Sequence, residues 1–210
     1  MGFLILFLRG AEVDKENITR LSHKVWITRK CRVIAATRLE RTNLYWQVLI
    51  YYYSLVLLAF SVWTVLPNKS NLYTSFISVI SSIVIFSSSL FLNSFNFRDK
   101  AQMFKLCYIK LDKINCKLDL LKDYENISPE LTVENFEALH AAYLEVLSNT
   151  DNHSEYDYFR LLLDLNSDGN KLPLKEKIKY YGHMFLLFAI TLMLYLMPII
   201  IFILMSRGAK

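Results

Sequence analysis

The chain has 210 residues, 54% of them apolar, with a mean hydropathy of +0.27, which is high for a soluble domain and suits membrane spans joined to one polar region. Five glycines and four prolines leave few turns, which excludes an all-β architecture and favours long helices. The net charge of +5 is uneven: residues 1–45 hold nine Lys/Arg against four Asp/Glu, and residues 98–180 hold twelve against fifteen. A basic surplus beside a membrane fits anionic headgroups better than a nucleic-acid groove, so direct nucleic-acid binding is not expected.

In chain order, MGFLILFLRG has an apolar core of about six residues, shorter than a signal-peptide h-region. The AEVDKEN that follows offers no small-residue cleavage pattern, so the segment reads as an apolar N-terminal tag. From Asp14 to Arg41, apolar or small residues recur at Ile18, Leu21, Val25, Thr28, Ala35 and Leu39, with Arg32 interrupting the seam. This predicts an amphipathic helix within a basic N-terminal segment, 1–45.

Three stretches reach the roughly 20 mainly apolar residues that cross a bilayer: Trp46–Leu66, Leu72–Phe95 and Tyr180–Met205. Only PNKSN separates the first two, so 46–96 is predicted to form a tight antiparallel hairpin. Arg29, Lys30, Arg32, Arg38 and Arg41 precede it and Arg98, Lys100, Lys105 and Lys110 follow it, whereas its loop holds Lys69 alone. The positive-inside rule therefore puts the N-terminus and the middle region in the cytoplasm and the C-terminus outside.

The second span carries a polar stripe. At 100° per residue, Ser75, Ser78, Ser82, Ser89, Asn93 and Asn96 gather on one side and Phe76, Val79, Ile83 and Phe91 on the other. Small polar residues let membrane helices approach and hydrogen-bond. The stripe therefore packs on the chain's own spans, faces other copies, or lines water in an oligomeric pore. No Asp, Glu, Lys, Arg or His lies deep in any span, which disfavours proton-coupled transport and voltage sensing.

Beyond the hairpin, Phe104, Cys107, Leu111, Ile114, Leu118 and Leu121 alternate steps of three and four, a heptad seam that must pack on another helix, within the fold or in a neighbouring subunit. No Gly or Pro separates Leu72 from Leu121, so nothing recognisable stops the second span from continuing into this helix. Ser128-Pro129-Glu130 opens another helix, and Ser154 with Asp157 makes an S-x-x-D cap for a further one. The helical lobe is thus 97–179, the third span 180–206 and the tail 207–210. Pro198 in the third span frees a carbonyl one turn earlier.

Local chemistry motifs are sparse. Cys31, Cys107 and Cys116 form no CxxC, and no two of the four histidines have the i, i+4 spacing of a helical zinc site. DLNSDGN, residues 164–170, imitates the first half of an EF-hand loop, but Lys175 stands where the closing Glu belongs and Pro173 lies inside. There is no GxSxG, GxxxxGKS or GxGxxG. Neither enzyme activity, a cofactor nor a metal is expected.

A basic helix containing RKCRVIAATRLERTN, a tight membrane hairpin, then FRDKAQMFKLCYIKLDKI and YLEVLSNTDNHSEYDYF resemble the SLATT family, the SMODS and SLOG-associating two-transmembrane effectors. The closest likeness is to the branch found beside retron-type reverse transcriptases. The resemblance covers about residues 15–165, and its most particular piece is Asn152-His153 before Asp157-Tyr158. A third span departs from the family's two. The resemblance implies a bacterial anti-phage, abortive-infection effector in the inner membrane. It would stay inactive until a sensor, such as a reverse transcriptase with its msDNA, detects infection, and would then assemble as a homo-oligomer or open and act as a toxin. The alternative is a membrane-anchored adaptor without pore activity. Either way the expected fold is an all-α membrane protein.

Overall fold

The computed structural model describes residues 15–65, 72–123, 129–152, 154–165 and 174–208. The described residues are helical apart from short connections: α1 Lys15–Val65, α2 Leu72–Ser94, α3 Phe97–Asp123, α4 Pro129–Ser148, α5 Glu155–Leu165 and α6 Leu174–Gly208. Among them there is no strand. Helices α1, α2 and α6 each contain a stretch long and apolar enough to span a membrane. The N-terminal tag, the hairpin loop and most of the EF-hand-like segment lie outside the described residues.

The amphipathic N-terminal segment and the first span form one helix, α1. Nothing in Asp14–Val65 breaks a backbone, since it holds neither Gly nor Pro; the change from polar to apolar composition is not a stop signal. Helices α2 and α3, by contrast, are separate. Asn96 sits at φ 49°, a left-handed conformation that Asn tolerates better than other residues with a side chain. Its N–H donates to Asn93 C=O at 3.3 Å, the inner bond of a Schellman-type helix end.

The described residues fall into two compact units, Met1–Leu39 with Arg98–Ser167, and Glu40–Phe97 with Asp168–Lys210. The first is a helical lobe. Ile18, Leu21 and Val25 of α1, Tyr143 and Val146 of α4, and the α3 seam from Cys107 to Leu121 make one core. Phe104 is buried with them. Of the two uses that the heptad spacing leaves open for Phe104, Cys107, Leu111, Ile114, Leu118 and Leu121, the structure shows packing inside the chain. Thr28, on the α1 seam, donates to Lys24 C=O and lies 3.1 Å from Tyr143 OH, so the tyrosine is the donor in that second bond.

The second unit holds the second part of α1, α2 and α6. Leu49 shares a cavity wall with Leu92, and Phe60 shares another with Ile77, so α1 and α2 run antiparallel. Tyr45 meets Tyr195 edge-on, while Phe60 shares a wall with Ile201, so α1 and α6 run parallel.

Candidate functional site

Helix α2 presents its polar residues to two surroundings. Ser78, Ser81, Ile85, Ser89 and Leu92 recur at helical steps and are half-buried; Ser78 Oγ lies 3.3 Å from Ser61 Oγ of α1. Ser75, Ser82 and Asn93 are exposed, and at 100° per residue they fall within roughly 20° of one line. Asn96 is exposed too, but stands beyond the helix end. The predicted stripe therefore divides: Ser78 and Ser89 face the chain's own helices, and Ser75, Ser82, Asn93 and Asn96 do not. Phe76, Ile83 and Phe91 are exposed on other sides of α2, as a lipid-facing surface requires.

Helix α6 continues through Pro198, which has no N–H and leaves Leu194 C=O, four residues earlier, without a helical donor. Tyr53 OH donates to that oxygen at 2.8 Å, and Tyr52 OH donates to Tyr195 C=O at 2.9 Å. In hydrocarbon an orphaned carbonyl costs several kcal/mol, so the Tyr53 phenol on α1 makes the proline tolerable. Tyr53→Phe is expected to destabilise the helix packing by about 0.6–2 kcal/mol, read by unfolding in detergent. Pro198→Ala in the same background should recover the loss by restoring the helical donor. No recovery would show that the phenol acts elsewhere.

Two cavities lie among these helices, of ≈ 110 Å³ and ≈ 460 Å³. The larger is walled by Trp46, Leu49, Val84, Leu194 and Met197, with Tyr53, Ser81 and Ser88 supplying its hydroxyls. Neither has the polar lining of a water-filled path.

The lobe concentrates its electrostatics on one helix. Arg38 clasps Asp157 in two bonds, Nε to Oδ1 at 2.8 Å and Nη2 to Oδ2 at 3.0 Å. Asp157 Oδ2 also accepts from Ser154 N–H at 3.0 Å and Ser154 Oγ at 2.7 Å, closing the cap that S-x-x-D predicted. The Asp157 side chain is wholly buried. Burial alone would raise its pKa, but the bonds from Arg38 and Ser154 outweigh burial and hold it below the ordinary aspartate value. Two turns earlier, Arg29 pairs with Asp112. Between them, Arg32 is fully buried, and Nε, Nη1 and Nη2 have no hydrogen-bond partner; its guanidinium lies 5.0 Å over the Phe104 ring. Beside it, burial and the Asp157 charge push the Cys31 thiol up to about 11 despite Arg32, so Cys31 stays a protonated, unreactive core residue.

Of the family-like motif, Asp157 is the buried ion-pair partner, Tyr158 and Asn152 are exposed, and His153 lies outside the described residues. Sequence reasoning missed Arg38 as the partner of Asp157 and the two tyrosines as partners of the Pro198 turn. The only local signals were the S-x-x-D cap and the proline itself.

Residues 14–204 match the family model for SMODS and SLOG-associating 2TM effector domain family 5. The match runs through α6, so the third apolar helix lies within the family's own extent rather than appended to it. No curated protein and no solved structure matches the chain.

Proposed function

The chain belongs to the SMODS and SLOG-associating 2TM effector family, and on that premise we propose that it is a membrane effector of a bacterial anti-phage system that forms or opens an oligomeric pore when a partner sensor activates it. No catalytic step enters this reading. The observation that carries it is the exposed line Ser75, Ser82 and Asn93 on α2. Ser82 Oγ donates to Val79 C=O within its own turn at 2.7 Å, but the chain's own spans leave all three side chains exposed, and small polar residues on a membrane helix favour close contact with another helix. The two cavities described above are mainly apolar, which favours a conducting route built from polar edges of several copies. Basic flanks put the lobe in the cytoplasm of the inner membrane, where an infection sensor would act; the reverse transcriptase with its msDNA is the sensor that the sequence resemblance suggests.

The test is dye and ion release from liposomes holding the purified full chain, with membrane depolarisation in cells after induction. Ser82→Leu combined with Asn93→Leu should remove both signals while the protein stays membrane-inserted and folded, because these positions touch no internal partner helix. Leak that persists in the double variant would exclude this edge as the pore wall. An oligomer that never leaks would favour the adaptor reading.

A further inference from the structure

The three membrane helices do not close on one another around the larger cavity. Its back wall is α1, where Leu49 is buried and Trp46, Ile50 and Tyr53 are half-buried. Its two rims are exposed: Ile80, Val84 and Ser88 on α2, and Met197 and Ile201 on α6. The cavity is therefore a groove that opens sideways between α2 and α6. Collapse of α6 onto α2 is opposed by the Tyr52 and Tyr53 phenols, which hold the Tyr195 and Leu194 carbonyls against α1.

We propose that this groove holds one acyl chain of a phospholipid, drawn from the leaflet beside the basic flanks. At ≈ 460 Å³ it falls in the roughly 300–1,000 Å³ range of small-molecule sites, and a void of that volume is destabilising unless something fills it. Water fills it poorly, because a buried water needs several polar partners and the Tyr53 hydroxyl is already given to Leu194 C=O. Length and width then select a chain. From Ile80 to Leu92 the α2 wall rises about 18 Å, slightly more than half of the roughly 30 Å hydrocarbon core and thus the depth of one leaflet. Spread over that length, ≈ 460 Å³ leaves a mean cross-section of about 26 Å², whereas a helix about 10 Å wide needs about 80 Å². A helix of a second copy therefore does not fit, and a single side chain is too short to fill the groove. The end at Trp46 and Leu92 is the one that the basic flanks adjoin in the chain, and an indole suits the headgroup level, so the ester end of the lipid lies there. The ≈ 110 Å³ cavity shares Tyr53, Ser81, Ile85 and Ile201 with the groove and continues it towards Phe60, which gives the methyl end room.

The test places the full chain in vesicles that carry a trace of phosphatidylcholine or phosphatidylglycerol with a diazirine midway along one acyl chain, followed by photolysis and peptide mapping. Val84, Ser88 and Met197 should take several-fold more label than Ile83 and Leu90, which are exposed on another side of α2, and the two headgroups should behave alike. Ser81→Phe, which fills the groove from its wall, should bring Met197 down to the level of Ile83 and Leu90 while their own labelling stays unchanged. Ser88→Trp at the exposed rim should do the same and serves if the first variant does not fold. Label in the groove no denser than at Ile83 and Leu90 would reduce the site to ordinary bilayer contact and overturn the proposal, as would dense label at Met197 indifferent to both variants. A groove silent to both phospholipids but crosslinked between copies, or labelled by a free diazirine fatty acid alone, would overturn it in favour of a second copy or a soluble ligand.

Discussion

Replacing Arg38 by Met is expected to destabilise the lobe by about 3–5 kcal/mol, the loss that follows when a buried ion pair is broken from one side. The asymmetry of the pair decides which side matters. The Asp157 side chain is fully buried, whereas that of Arg38 keeps 38% of its surface. Without the arginine, the carboxylate remains buried with only Ser154 to bond it. Without the carboxylate, as in Asp157→Asn, the arginine can turn to water, and the loss should be about 1–2 kcal/mol. Hydrogen exchange at the α5 amides measures both, and equal losses would show that the two groups are equally sheltered.

Acid distinguishes the same two proteins. In the natural chain the Asp157 pKa is held below its ordinary value, so its stabilisation is complete above about pH 4 and is lost as pH falls through the folded value. In Arg38→Met the arginine's lowering is lost and burial is opposed by Ser154 alone, so the pKa rises from its value in the natural chain and the penalty is present at neutral pH. It then fades as pH falls through that raised value and the carboxylate binds a proton. The stability gap between the two proteins should therefore narrow on acidification. A gap constant between about pH 7 and about pH 4 would mean that Asp157 is not the group left stranded.

What the sequence could and could not reveal divides by distance along the chain. The Phe104–Leu121 seam was legible because heptad spacing is a local property and the core needs that whole face. The S-x-x-D cap was legible for the same reason, but the cap residue's stronger partner, Arg38, is 119 positions away. Pro198 announced an orphaned carbonyl, yet the tyrosine that takes it is 141 positions away. The α2 stripe was read as one surface because projection orders residues around a helix without saying which arc meets a neighbour. The structure divides that surface between Ser78 and Ser89 on one side and Ser75, Ser82 and Asn93 on the other. The break at Asn96 went unseen because Asn interrupts a helix only when the chain turns left-handed there.

Arg32→Met is expected to raise the stability of the lobe by about 1–4 kcal/mol, roughly 2–4 °C of melting temperature per kcal/mol at this chain length. The guanidinium is fully buried without an acceptor on any nitrogen. Its stacking on Phe104 contributes about 0.5–2 kcal/mol, less than the several kcal/mol that an ion loses on leaving water. An arginine has no neutral form to fall back on; methionine matches its length, is unbranched and fills irregular space. A charge held at a position that the α1 seam would otherwise fill with an apolar residue leaves the lobe easier to open than its packing alone would allow. On the pore reading proposed above, the stabilised variant should consequently be a poorer effector, with depolarisation requiring more protein, while its span insertion is unchanged. If Arg32→Met instead lowered the melting temperature, the guanidinium would have to hold a partner in the working protein, and its isolation in the single chain would mark a contact that only the assembled or activated form completes.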